Sequence, residues 1–280
     1  MDSLLLPACD LLQGLQDTLT KCEIDYKKEI EELGQVALAE ERANGRIFDL
    51  KEHISALLAS QLSSQRPWKP IAENERGLQE IFLNYDPIAL READPDLLEA
   101  KLCAIRCGNR RIRKQLRALK QNITTLERIE RDFGSLDAFI TSDDPDRIAT
   151  QLSEPGPYKL KEVGYPLALE YMKNVGICAG KPDVHVRRVL GPHRLSFFDH
   201  EPDERQAYEL IAILASESRC NQTYLDNILW IFCAKDYGEI CGAKPRCEIC
   251  ALSGHCRYPM TRMSVSTNGK KEAESGQSCP

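Results

Sequence analysis

Long runs of the chain carry apolar residues three and four positions apart, the period of a helix buried along one face, and no strictly alternating run bounded by turns predicts a strand. The predicted fold class is therefore all-α. Leu12, Leu15, Leu19, Cys22 and Tyr26 recur at helical spacing, and IDYKKEIEELGQVALAEERANG reads as one charged helix ending near Gly45. In LKEHISALLASQLSS, Leu50, Ile54, Leu57 and Leu58 share a face, and the prolines at 67 and 70 close the segment. Ser142 to Tyr165 has the Pro, Gly, Ser and Asp density of a connection with a short helix inside it. Pro166 to Val175 is helical again and closes on Gly176. The run after Arg257 has almost no large apolar residues, so 259–280 is expected to be a disordered tail.

Composition changes this picture little: 42% hydrophobic and 29% charged residues describe an ordinary globular chain and exclude collagen-like and wholly disordered classes. No stretch approaches the apolar length of a membrane span, and MDSLLLPACDLLQ lacks the basic start of a secretory signal, so an intracellular protein without membrane contact is expected. Net charge is −6, yet KLCAIRCGNRRIRKQLRALK at 101–120 holds eight Lys/Arg and no acid. That element suits either a solvated face balanced by acidic neighbours or a surface for phosphates, and any DNA contact must be local.

Twelve cysteines in a chain expected to meet a reducing environment point away from disulfides. Most are scattered, as small buried hydrophobes are, but Cys241, Cys247, Cys250 and Cys256 fall within sixteen residues, with Cys233 just upstream. Four thiolates in one loop suit a tetrahedral zinc or a cubane iron–sulfur cluster. A single C-x2-C knuckle flanked by five-residue arcs favours the bulkier cluster over zinc.

The lettering ICGAKPRCEICALSGHC resembles the iron–sulfur loop of the endonuclease III and adenine glycosylase branch of the helix-hairpin-helix DNA glycosylases, with five residues rather than six between the first two ligands and Cys241 the better match for the first. Three upstream segments resemble the same superfamily in order. Leu57, Leu58, Ala59, Ser60 and Gln61 match its early helix, whose glutamine lies at the DNA face and fills the gap left by an extruded base. LKEVGYPLA matches the hairpin, in which backbone N–H groups of Val163, Gly164 and Tyr165 would meet a DNA phosphate. Gly164 stands at the second hairpin glycine and Glu162 at the first, where a glycine would serve a positive φ. KPDVHVRRVL matches the catalytic strip, with Asp183, His185 and Arg188 at its three marked positions. On its own residues Asp183 is an N-cap, after a loop and before an apolar helix. The resemblance adds catalysis to Asp183, and gives His185 and Arg188 structural or phosphate-contacting places.

The resemblance implies two helical lobes with a DNA-binding cleft between them: a six-helix barrel lobe at 48–168 containing the helix-hairpin-helix, and an iron–sulfur lobe from 1–47 with 169–258, carrying a 4Fe-4S cluster on Cys241, Cys247, Cys250 and Cys256. It implies a monomeric N-glycosylase acting on double-stranded DNA with a lesion or mismatch. Bifunctional members carry a lysine where this chain has Pro166, and Lys161, Lys173 and Lys181 do not match that position, so hydrolysis by an Asp183-activated water is expected. The competing expectations are a DNA-binding or redox-sensing homologue without catalysis and a zinc-stapled helical scaffold.

Overall fold

The computed structural model describes residues 6–64 and 66–259, so all but the first residue of the tail expected at 259–280 lies outside the described residues. Every regular element described is helical. In chain order these are α1 (Ala8–Lys21), α2 (Tyr26–Leu33), α3 (Gln35–Ala43), α4 (Leu50–Leu62), α5 (Lys69–Ala72), α6 (Glu75–Ile81), α7 (Pro87–Glu92) and α8 (Pro95–Ala104). They are followed by α9 (Ile112–Phe133), α10 (Leu136–Ile140), α11 (Pro145–Ser153), α12 (Tyr165–Lys173), α13 (Val184–Leu190), α14 (Glu204–Glu217) and α15 (Gln222–Cys233).

The starts of these helices are written in short side chains. Asp86, Asp94 and Asp144 each cap a helix whose first residue is proline, supplying an acceptor for the free N–H groups while the ring presets φ. Asp49 closes a reciprocal capping box with Glu52 at the head of α4. Two sequence expectations are corrected. The charged segment before Gly45 is two helices, α2 and α3, because Gly34 takes φ +72 between them. The first helix stops at Lys21, short of Cys22 and Tyr26, as Glu23 turns left-handed at φ +58.

The described residues divide into two units. One takes the chain up to Tyr26, Pro182–Arg219 and the residues from Ile228 on; the other takes Lys27–Lys181 and Cys220–Asn227. Segments 27–47 and 169–181, set with the iron–sulfur lobe in the sequence-based division, fall here in the second unit. Four contacts explain it: Gln35 bonds Glu170 and Asn174, Arg42 reaches the Val175 carbonyl, and Gly176 at φ +78 lies so close to α3 that a Cβ would stand 2.4 Å from the Leu38 carbonyl oxygen.

The second unit is organised around α9, whose buried stripe Ile112, Leu116, Leu119, Ile123, Leu126 and Ile129 packs against α4, α7, α8 and α10. A polar network crosses its core. Asp137 accepts from Arg42 (2.7 Å), from the Phe48 N–H (2.8 Å) and from His53 Nε2 (3.3 Å), and His53 Nδ1 lies 2.6 Å from the Tyr171 hydroxyl. A carboxylate only accepts, so Nε2 is the donor to Asp137. Burial would raise the Asp137 carboxyl; its bonds to His53, Arg42 and the Phe48 amide outweigh that and hold it at about 2. In the other unit, α1 and α13 both pack on α14, and the buried face of α1 is Ala8, Leu11, Leu15 and Leu19.

Candidate functional site

Within the second unit, α11 and α12 pack together and the chain between them forms a hairpin. Leu160 is fully buried and its N–H returns to the Leu152 carbonyl, which closes the turn. Asn122 of α9, also fully buried, clasps the next residue from both sides: its Oδ1 accepts the Lys161 N–H at 2.7 Å and its Nδ2 donates to the Lys161 carbonyl at 3.0 Å. Lys159 ties the Ser153 and Val163 carbonyls together through its ammonium.

The left-handed position of this hairpin is Glu162, at φ +59. Gly164 is extended at φ −94 and caps α12, with nothing within 4 Å of a Cβ built on it. The positive φ for which the turn would use a glycine is thus supplied by an L-residue, Glu162. The Glu162 carboxylate accepts from Arg111 Nη2 at 2.7 Å. The side chains of Val163 and Tyr165 are buried, Tyr165 giving its hydroxyl to Asp146 at 2.5 Å, whereas Gly164 is exposed. Among the described residues, the N–H groups of Val163 and Gly164 meet no acceptor. Backbone N–H groups without a protein acceptor are of the kind that an anion can fill.

Of the eight cations at 101–120, Arg111, Arg113 and Arg117 are paired with Glu162, Glu99 and Asp96. Lys101, Arg106, Arg110, Lys114 and Lys120 are exposed and make no ion pair among the described residues. The element is broken at 105–111, between α8 and α9, so its charges lie on two helices and a loop.

Gln61 stands at the end of α4, but its side chain is 1% exposed, and its amide finds no hydrogen-bond partner among the described residues. The sequence set it at a surface; the structure buries it. Its carbonyl, an orphan at a helix end, is taken by Asn109 at 2.8 Å and Gln115 at 3.3 Å. The lysines weighed for strand cleavage differ sharply. Lys161 is exposed, Lys173 is buried against Asp226, Asn227 (3.2 Å) and Glu170 (3.6 Å), and Lys181 lies 3.6 Å from Glu170 and 3.4 Å from Ser63. The Glu170 carboxyl, which burial alone would raise, is held at about 2 by Lys173, Lys181 and Gln35.

In the first unit, Asp183 caps α13 through one oxygen: Oδ1 accepts from the His185 N–H at 2.7 Å and the Val186 N–H at 3.1 Å. Oδ2 takes no hydrogen bond among the described residues, and the side chain is half-buried. The backbone fixes the carboxylate's direction and leaves one oxygen for another donor. Arg188, on the same helix, donates to the Cys241 carbonyl at 3.2 Å, so α13 is tied to the thiol loop.

That loop is a string of turns. Gly238 N–H and Ile240 N–H return to the Ile231 and Phe232 carbonyls at the end of α15, Cys250 N–H bonds the Cys247 carbonyl, and Cys256 N–H the Ser253 carbonyl. The loop is seated on α1, where Ala251 N–H bonds Thr18 at 3.0 Å and Leu252 lies over Gly14, a Cβ on which would come 2.3 Å from the leucine. Cys233, buried, hydrogen-bonds Cys241. Their shared proton raises Cys233 and lowers Cys241, whose thiolate Arg194 and Arg188 also favour. Burial pushes Cys250 up to about 11 and Cys256 upward, and the neighbouring thiols add to both. Among the described residues, no three His, Cys, Asp or Glu side chains are closed into a metal-ligating set. The four loop thiols nevertheless share one electrostatic neighbourhood, where thiolates repel one another until a cation neutralises them; this donor set fits an iron–sulfur cluster.

Sequence reasoning passed over Asn122 and Arg194, and took Arg111 only as one of the eight cations of 101–120. Asn122 had a signal, a polar residue inside the apolar stripe of α9. Arg194, buried over the Tyr258 ring at 4.0 Å and facing Cys241, had none, being set by the return of Arg257 N–H to its carbonyl.

No family model and no curated protein matches the chain. Among solved structures it is similar to the 8-oxoguanine DNA glycosylase of Methanocaldococcus jannaschii, 18% identical over 79% of this chain and 94% of that one, with a TM-score of 0.53. It is similar also to the M. jannaschii 8-oxoguanine glycosylase/lyase in complex with a 15mer DNA containing 8-oxoguanine, 18% identical over 79% and 95% of the two chains, with a TM-score of 0.51. The chain has the fold of these two structures, and its described regular elements are all helical.

Proposed function

We propose that this chain is a DNA N-glycosylase of base-excision repair that removes a damaged or mismatched base from duplex DNA by hydrolysis. The observation that carries the reading is the fold likeness over 79% of the chain to two structures described as M. jannaschii 8-oxoguanine glycosylases, one in complex with a 15mer DNA containing 8-oxoguanine. Asp183 supplies the chemistry. As the bond from C1′ to the base nitrogen lengthens, its electron pair leaves with the base and the sugar becomes cationic. Asp183 Oδ2 opposes that charge and takes a proton from the water whose oxygen bonds C1′. Flipping the target base out of the stack costs a few kcal/mol, least for a mispaired or damaged one.

The hairpin, with Val163 and Gly164 N–H groups unfilled, holds a backbone phosphate. The structural neighbour is named a glycosylase/lyase, but Pro166 has no amine to offer, and Lys173 is buried among carboxylates, so this chain releases the base without cutting the strand. Cys241, Cys247, Cys250 and Cys256 would hold a 4Fe-4S cluster, the feature in which the sequence resembles the endonuclease III branch. When bound, the cluster crosslinks the loop that Arg188 joins to the Asp183 helix.

The test is a panel of labelled duplexes carrying 8-oxoguanine, deaminated and alkylated bases, and mismatches. Wild type is expected to leave an abasic strand that breaks only on heating in alkali. Asp183→Asn keeps an N-cap, so fold and affinity persist while release falls by about 100-fold or more. Wild type that shifts these duplexes but releases no base from any of them would establish a DNA-binding homologue without catalysis.

A further inference from the structure

At the hairpin, a carboxylate stands where a phosphate-binding turn gains nothing from one. Glu162 occupies the left-handed position beside the unfilled N–H groups of Val163 and Gly164. Its charge is answered by Arg111, Nη2 to Oε2 2.7 Å, and by the field of Lys159. The hairpin does not depend on this pair for its shape, since the buried Asn122 clasp and the Lys159 bridge already fix its backbone. The pair is also open to solvent, with the Arg111 side chain 54% and the Glu162 side chain 25% exposed, and such pairs are weak and readily exchanged. Lys159 feels Glu154 as well as Glu162, while Arg111 is the cation that Glu162 binds directly. Guanidinium groups bind phosphate as well as carboxylate, through the same forked donors.

We infer that Arg111 is a DNA-phosphate-binding residue and that Glu162 is its built-in competitor: in the free protein Glu162 holds the guanidinium, and on duplex binding a backbone phosphate seated at the Val163 and Gly164 N–H groups takes it over. This rests on the glycosylase reading, and adds to it that every encounter with a duplex requires this exchange. Duplex affinity is thereby restrained. No covalent step is involved; one N–H···O⁻ contact is replaced by another, and Glu162 turns to water.

The experiment uses the full chain as wild type, Glu162→Gln, Arg111→Gln and the double variant, with anisotropy of an undamaged duplex and of one bearing a stable abasic analogue, between about 50 and 200 mM salt. Glu162→Gln is expected to tighten binding several-fold, up to about tenfold, and Arg111→Gln to weaken it about tenfold and lower the salt slope by about 1. In the Arg111→Gln background, Glu162→Gln gains less, because no guanidinium remains to be released. Both sites are solvent-facing, and unchanged melting curves verify the fold. An unaltered or weakened affinity in Glu162→Gln, or an unaltered salt slope in Arg111→Gln, overturns the inference. Base release assayed on the same proteins separates the two readings: a wild type that excises while these variants bind alike loses this inference alone, and one that neither binds nor excises loses both.

Discussion

At the scale of single residues, the two most informative carboxylates do opposite things. Asp183 is held by two backbone N–H groups on one oxygen, and its other oxygen takes no hydrogen bond among the described residues. Asp137 spends both oxygens on the protein, accepting from Arg42 and His53 on one and Phe48 N–H on the other. Its folded pKa, about 2, lies below the ordinary 3.8. A depressed carboxylate contributes stability that is fully present above pH 4 and lost as pH falls through 2. The difference corresponds to about 2 kcal/mol. Urea unfolding between pH 5 and 2 should therefore show a flatter profile for Asp137→Asn by about that amount. At pH 7 the variant should be less stable by roughly 3 kcal/mol, because Arg42 loses its buried partner. An identical slope in the two proteins would remove Asp137 from this role.

At the scale of elements, the hairpin shows how a turn is imposed by a neighbour. Nothing local forces 158–164 into its path: the left-handed residue is a glutamate, and such a φ costs an L-residue about 1 kcal/mol. The path is held by Asn122, whose side chain imitates a neighbouring strand by pairing with both backbone groups of Lys161. Asn122→Ala is expected to cost about 1–3 kcal/mol, since it removes two part-buried hydrogen bonds to the Lys161 backbone. Amide hydrogen exchange across 158–163 should accelerate far more than exchange in α13 or α14. Uniform acceleration would mean that Asn122 supports the fold generally and not the hairpin. The Asp-Pro starts of α7, α8 and α11 are the contrary case, where adjacent residues write the boundary unaided.

At the scale of the whole molecule, the thiol loop is the part whose stability is borrowed. It has turns and one short 3-10 segment, and it leans on α1 through Gly14, Thr18 and Ala251. With a cluster bound, Cys250→Ser should lose iron and visible absorbance together and lower the melting temperature by roughly 5 °C or more, metal ligation being part of the folding energy. A wild type that purifies colourless, with zinc in place of iron, would overturn the cluster and leave the helical scaffold. The sequence by itself determined the all-helical class, the helix α4, the short helix inside the connection, the termination at Gly176, and the cysteine spacing. Each of these is fixed by side-chain periodicity or by the intrinsic φ preferences of neighbouring residues. It also named Asp183, since a cap before an apolar helix is a local pattern. Tertiary structure alone decided that Gln61 is buried, that Arg188 serves the thiol loop, that α2 and α3 join the unit of α9, and that Glu162 is answered by Arg111. Those outcomes depend on which distant side chains arrive at the same place, fifty or more residues apart for Arg111 and Glu162. Burial and charge pairing are properties of that meeting, and no periodicity along one segment encodes them.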